Sequence, residues 1–193
     1  NNSDLNEYTF AHQFIEKIPE NSNVFVGNSL MIRAFNIFSE KNQKHIRFFS
    51  NRGVSGIDGN LSSALGIASK SKENNFLVIG DQSFMHDIGA LQILAENNIN
   101  LTIFIINNYG GAIFDHLPIS EKIDSKIFKK FIRNQHKKNF QSIIKSYQLD
   151  YKKITSINQL NNIDMNIKKV YELEIDSESS LKFVRQFSTS LSK

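Results

Sequence analysis

Asp81 and Asn108 each stand where an apolar run stops, and their side chains are of the type that holds a hard cation. Asp81 follows Phe76-Leu77-Val78-Ile79 within Gly80-Asp81-Gln82-Ser83. Asn108 follows Leu101-Thr102-Ile103-Phe104-Ile105-Ile106 within Asn107-Asn108-Tyr109-Gly110-Gly111. A carboxylate and a carboxamide supply oxygen ligands, and the glycines beside them leave backbone N–H groups open to an anion such as a diphosphate. Two more loops have this character: Gly27-Asn28-Ser29 after Val24-Phe25-Val26, and Ser50 to Gly59 after Ile46-Arg47-Phe48-Phe49. Turn chemistry alone explains any one of the four, because Asn and Gly favour turns. Four at successive strand ends point to a ligand site, since open parallel sheets bind beyond the carboxyl ends of their strands.

The elements that must position these loops alternate. Asp4-Leu5-Asn6-Glu7 reads as a capping-box helix start, with Ala11, Phe14, Ile15 and Ile18 at helical spacing until Pro19. Further helix faces are Met31, Ala34, Phe35 and Phe38; Leu61, Ala64, Leu65 and Ala68; and Phe84, Ile88, Leu91 and Ala95. Continuous apolar strands between amphipathic helices predict a three-layer, doubly wound α/β fold, its mostly parallel sheet covered by helices on both faces. All nine glycines lie between Gly27 and Gly111, so the front of the chain is where the backbone turns tightly or approaches a ligand. Residues 119–139 are polar, lysine-rich and weakly periodic, and read as a mobile excursion. Phe140, Ile143, Ile144 and Tyr147 return to a helix face, and Val170 to Ile175 alternates like a strand with one wet face. Leu181, Val184, Phe187 and Leu191 suggest a closing helix. No repeat or linker interrupts the chain, so residues 1–193 read as a single domain.

Composition removes several function classes. With 40% hydrophobic and 22% charged residues the chain is of ordinary globular type. The net charge of +4 is carried by scattered lysines, 18 against 5 arginines, which suits a solvated surface better than a nucleic-acid face. Zero cysteines exclude disulfides, thiolate metal sites and a Cys nucleophile, and fit a reducing compartment. No apolar run approaches the ~20 residues of a membrane span, and the polar start is no signal peptide, so a cytoplasmic protein is expected. The five histidines (His12, His45, His86, His116, His136) show no metal-ligand spacing and take no catalytic role; His116 reads as the nearest to the site. Asp58 and Asp87 suit turn or cap roles.

Gly80-Asp81, followed 26 residues on by Asn107-Asn108, resembles the diphosphate-binding motif of thiamine diphosphate enzymes. The resemblance implies Mg²⁺ (or Mn²⁺) held by the Asp81 and Asn108 side chains and the Gly110 carbonyl. Gln82 stands where that family usually has glycine, and the Gly-Asp-x-Ser form occurs in one branch of it. Gly27-Asn28-Ser29-Leu30-x-x-Arg33, Ser50-Asn51-Arg52-Gly53-x-Ser55-Gly56-Ile57-Asp58-Gly59 and Asn107-Asn108-x-Gly110-Gly111-x-Ile113-Phe114 mark the branch. They are similar to the C-terminal, diphosphate-binding domain of the 2-succinyl-5-enolpyruvyl-6-hydroxy-3-cyclohexene-1-carboxylate synthases of menaquinone biosynthesis. The likeness is dense over residues 24–118 and collinear to the C-terminus.

On this resemblance, thiamine diphosphate is bound by Asn28, Ser29, Ser55, Gly56, Ile57, Gly80, Gln82, Ser83, Gly111, Ile113 and Phe114. Ile57 takes the place of the apolar wedge that bends the cofactor. Arg33 and Arg52, with Ile113 and Leu117, face the substrate, and both implied substrates, 2-oxoglutarate and isochorismate, are dicarboxylates suited to arginine. The implied activity is that of a transferase, which decarboxylates 2-oxoglutarate and adds the succinyl carbanion equivalent to isochorismate. The catalytic Glu of the family belongs to a pyrimidine-binding domain, usually of a neighbouring subunit, and nothing in these residues resembles it. The chain is therefore expected to be a C-terminal fragment of a longer homodimer or homotetramer, and to be inactive alone. Two alternatives stay open: another thiamine diphosphate 2-oxoacid decarboxylase or acetolactate-type ligase, and a non-catalytic cofactor-binding module.

Overall fold

The computed structural model describes residues 5–39, 44–166 and 168–191. Its first helix, α1 (Glu7–Lys17), is capped by Asn6, whose side chain accepts from the Tyr8 and Thr9 amides while Thr9 reaches back to the Asn6 amide. The capping box thus belongs to Asn6 and Thr9; Asp4, from which it was expected, lies outside the described residues.

Among the described residues six strands form one sheet: β1 (Ser22–Val26), β2 (Ile46–Phe49), β3 (Asn74–Gly80), β4 (Thr102–Asn107), β5 (Tyr151–Ile154) and β6 (Val170–Glu174). All pairs are parallel, in the order β2-β1-β3-β4-β6-β5. The chain leaves β1 for β2 on one side and returns to β3 on the other, which puts the topological switch point between β1 and β3. Gly80 is in register with Ile106, so β3 and β4 end at nearly the same level.

The remaining helices are α2 (Leu30–Phe38), α3 (Asn60–Ser69), α4 (Asp81–His86), α5 (Leu91–Glu96), α6 (Ile119–Lys122), α7 (Ser125–Ile127), α8 (Gln141–Ser146), α9 (Ile157–Asn161) and α10 (Ser177–Leu191). One core lies under α1, α2, α9 and α10, the other under α3, α4, α5 and α8. Alternate residues of each central strand feed the two layers: Val24, Phe76, Val78 and Phe104 one, Phe25, Leu77, Ile79 and Ile105 the other. Phe14 meets Phe35, Phe76 and Phe104 edge-on at 5.4–5.7 Å between centroids, each such pair contributing about 0.5–1.5 kcal/mol beyond its burial.

Three expectations are corrected. The helix anticipated over Phe84 to Ala95 is broken into α4, a 3₁₀ turn (Ile88–Ala90) and α5; Phe84 and Leu91 are buried but Ala95 is exposed. β6 has no wet face, because β5 flanks it and Glu172 is wholly buried, accepting from the Asn107 side chain, the Phe140 amide and the Tyr151 hydroxyl. Residues 119–139 carry organised structure: α6, α7 and a π-helical turn (Phe128–Ile132), with Phe128 and Arg133 buried.

Candidate functional site

The loops after β1, β2, β3 and β4 converge at the carboxyl edge of the sheet, around a cleft of about 270 Å³. Gly27 makes this convergence possible. Its N–H donates to the Val78 carbonyl at 2.8 Å, and a Cβ there would stand 3.3 Å from that same oxygen. Three non-glycine residues of these loops, Ser29, Ser55 and Tyr109, are held at positive φ (73°, 62° and 62°). Such conformations cost of order 1–3 kcal/mol each and concentrate where a ligand is held.

Asp81 opens α4 and is buried. Its Oδ1 accepts from the Gln82 amide at 2.6 Å and its Oδ2 from the Gly110 amide at 2.9 Å, so one carboxylate joins the loops after β3 and β4. Asn108 is also buried, and its Nδ2 donates to Glu7 Oε1 at 2.7 Å. Among the described residues no hydrogen bond is made to its Oδ1. The Gly110 carbonyl accepts from the Ala112 amide at 2.9 Å and keeps a second lone pair. Among the described residues no group of three His, Cys, Asp or Glu could hold a metal. The donor set here is of another kind, one carboxylate, one carboxamide and main-chain carbonyl, which is the mixture hard cations take and which fits the implied Mg²⁺.

The second pair of loops is stitched by Asn28. Its Nδ2 donates to the carbonyls of Asn51 (2.9 Å) and Gly56 (2.7 Å), and its Oδ1 accepts from Arg52 Nη1 at 2.9 Å. Arg33 Nη1 donates to the Ser29 carbonyl at 2.7 Å. Both arginines are exposed and anchored to the same short loop. Asn60, the buried first residue of α3, ties this region to α4 through Ser83, whose hydroxyl in turn donates to the Ile57 carbonyl. What Ser83 still offers an anion is therefore its backbone N–H. Asp87 accepts from the Ser62 amide and hydroxyl, capping the first turn of α3 from outside, in line with the role expected for it.

The 133–138 segment lies across the loops after β3 and β4. The Arg133 carbonyl accepts from the Gly111 amide at 2.7 Å, the His136 amide donates to the Tyr109 carbonyl, and Gln82 and Asn134 exchange two hydrogen bonds. Arg133 itself is buried: Nη2 donates to the Asn108 carbonyl and the Ser177 hydroxyl, both at 2.9 Å, and Nη1 faces Asp115 at 3.3 Å. Burial raises the Asp115 carboxyl above the usual carboxylate range and Arg133 opposes this. Glu7 is likewise raised by burial, against the hydrogen bonds it accepts from Ser180 and Asn108. His136 Nε2 stands 3.2 Å from Asp81 Oδ2, while its Nδ1 accepts from the Lys138 amide at 3.1 Å. In a neutral ring the proton is then on Nε2, facing the carboxylate.

Of the residues singled out from sequence, Asn28, Ser29, Ile57, Gly80, Asp81, Gln82, Ser83, Asn108, Gly110, Gly111, Ile113 and Phe114 line the cleft. Ser55, Gly56, Arg33, Arg52 and Leu117 lie outside its wall; Ser55, Gly56 and Arg52 belong to the loop after β2, and Arg33, in the first turn of α2, is bonded to the loop after β1. His136 and His86 are nearer the site than His116, correcting the expected order. Glu7, Asn60, Arg133 and His136 were missed. None has a local spacing signal, since each acts through a partner distant in sequence. A wider cleft of about 890 Å³ shares Asn108 and Arg133 with the first but holds no other motif residue except Tyr109.

The family model of the thiamine pyrophosphate enzyme C-terminal TPP binding domain matches residues 26–175. Similar curated proteins are named 2-succinyl-5-enolpyruvyl-6-hydroxy-3-cyclohexene-1-carboxylate synthase. That of Lysinibacillus sphaericus (strain C3-41) is 34% identical over 163 residues, covering 84% of this chain and 28% of the relative. That of Desulfitobacterium hafniense (strain DSM 10664 / DCB-2) is 38% identical over 148 residues (77% and 26%). That of Staphylococcus aureus (strain JH9) is 35% identical over 179 residues (91% and 31%). The chain spans between 26% and 31% of the length of these relatives.

Proposed function

The chain belongs to the thiamine pyrophosphate enzymes as their C-terminal TPP-binding domain, and from that premise we propose that its four strand-end loops hold the cofactor's diphosphate together with a divalent cation. The observation that carries this reading is the Asp81 carboxylate. It is buried at the end of β3, bonded to the Gly110 amide at the end of β4, and accompanied by an Asn108 carboxamide whose oxygen is unspent. Asp81 and Asn108 would bind Mg²⁺ (or Mn²⁺) with the Gly110 carbonyl. The Ser29, Ser83 and Gly111 backbones would face the phosphates, and Ile57, Ile113 and Phe114 would supply the apolar wall. Bound thiamine diphosphate would supply the carbanion-stabilising chemistry; the residues of this chain bind, orient and exclude water.

The names of the relatives support a finer reading: a domain of a transferase that takes 2-oxoglutarate and isochorismate in menaquinone biosynthesis. Arg33 and Arg52, both anchored at the Asn28–Ser29 turn, would address substrate carboxylates, with Ile113 and Leu117 beside them. In this reading the domain works against a pyrimidine-binding domain of a homo-oligomeric, cytoplasmic enzyme, and has no activity without it.

The test is Asp81→Ala in the full-length protein. Mg²⁺-dependent binding of thiamine diphosphate should be lost in calorimetry while the circular dichroism spectrum is kept. Unchanged cofactor affinity would refute the cation site. Product analysis with 2-oxoglutarate, with and without isochorismate, tests the finer reading; products that do not depend on isochorismate would reject it.

A further inference from the structure

Glu7 is wholly buried in the first turn of α1, 101 residues before Asn108 and outside residues 26–175, which the family model matches. Its two carboxyl oxygens are divided between two partners: Oε1 accepts from Asn108 Nδ2 at 2.7 Å and Oε2 accepts from the Ser180 hydroxyl of α10. We propose that Glu7 is a positioning residue for the divalent cation, fixing which side of the Asn108 carboxamide faces the site.

A carboxamide has two ends of nearly the same shape and opposite chemistry. Turned one way, Asn108 presents an oxygen lone pair to the cation; turned the other way it presents an NH₂ group, which has none to give. The backbone sets where the carboxamide lies but not which end points where. An acceptor does, because it holds the NH₂ end and leaves the oxygen on the opposite side. Glu7 is itself held in place by Ser180 and by the Asn6–Thr9 cap at the start of its helix. A carboxyl group is costly to bury, and a well-packed apolar side chain would hold α1 against the sheet at less cost. A residue that only joins helices does not need this chemistry; one that orients an amide does. The inference rests on the reading of Asp81 and Asn108 as cation ligands.

The experiment is calorimetry on the full-length protein, with thiamine diphosphate binding followed as Mg²⁺ is titrated. Glu7→Gln keeps size and shape but presents both a donor and an acceptor, so both orientations of Asn108 become available. Half-saturating Mg²⁺ should rise about 10–100-fold, the range found when the partner that orients a metal ligand is removed. A merely structural role would lower the melting temperature of the cofactor-free protein and leave the Mg²⁺ dependence where it was, which overturns the proposal. Ser180→Ala removes the other support of Glu7 and provides a second route should Glu7→Gln not fold. It should shift the Mg²⁺ dependence in the same direction, and no shift overturns the proposal equally. Asn108→Ala separates the two levels. A changed Mg²⁺ dependence there, with none in Glu7→Gln, rejects Glu7 alone; an unchanged one in Asn108→Ala rejects the cation site and this role with it.

Discussion

The glycine-bearing loops at the strand ends and the 133–138 segment both reach the same small cleft, but by different means. The loops are built from local constraints: glycines at close approaches, a carboxylate and a carboxamide one step beyond two strands in matched register. The segment is held by long-range side-chain partners. Arg133 grips the Asn108 carbonyl 25 residues away and Ser177 44 residues away. The first kind of construction leaves a spacing that can be read along the chain. The second leaves only an arginine and a histidine in a run of lysines.

This contrast can be broken most directly at Arg133. Arg133→Ala leaves Asp115 without its ion-pair partner and opens the buried junction between 107–111 and 133–138; removing one partner of a buried pair costs about 3–5 kcal/mol. Chemical denaturation should show that loss together with weakened cofactor binding. A variant as stable as the parent would mean that the segment merely rests on the loops. A smaller effect is expected at the two arginines anchored to the loop after β1: Arg33→Ala or Arg52→Ala should raise KM for a dicarboxylate substrate roughly ten- to a hundredfold, about 1.5–3 kcal/mol for a lost charge-assisted contact, with cofactor affinity unchanged. Wild-type kinetics in both variants would reduce these residues to supports of the Asn28–Ser29 turn.

The smallest effect concerns His116, next to Asp115 in the turn that follows Gly111. Burial lowers its pKa from 6.5; the neighbouring Asp115 opposes this and Arg185 adds to it. The folded state then binds fewer protons than the unfolded chain in the window below 6.5. The stability contributed by the neutral ring is complete above that pH and is lost as pH falls through the window. His116→Asn should flatten the acid side of a plot of melting temperature against pH. A parallel curve for the variant would place the acid sensitivity elsewhere.

Most of the sheet was legible. The apolar runs at 24–26, 46–49, 76–79 and 101–106 all lie on strands or within a residue of them, because parallel strands covered on both faces are apolar throughout. β5 was not read, since Tyr151-Lys152-Lys153-Ile154 is an edge strand whose two lysines are exposed. β6 misled in the other direction: Glu172 looked wet because glutamate normally is, and only three donors from distant positions make its burial tolerable. The helix expected over 84–95 is broken by a 3₁₀ turn, and after the break Leu94 is buried where Ala95 was expected. At the site, Asp81 and Asn108 could be picked out from position and Gly110 only through the family resemblance; all three line the cleft. Glu7, Asn60 and His136 could not, because what defines each is the atom it meets across the fold.

The hydrogen bonds of Glu7 have a consequence for the order in which the molecule can assemble. They span 101 residues to Asn108 and 173 to Ser180, so they close only when α1, β4 and α10 have all arrived. Closing such long loops has an entropic cost that rises slowly with length, by about 0.6 kcal/mol for each doubling, and contacts of this separation form late in folding. A refolding chain would therefore regain its helices and much of its sheet before Glu7 meets the Asn108 carboxamide, and with the proposed role of Glu7 competence to take up a cation would be one of the last properties it acquires.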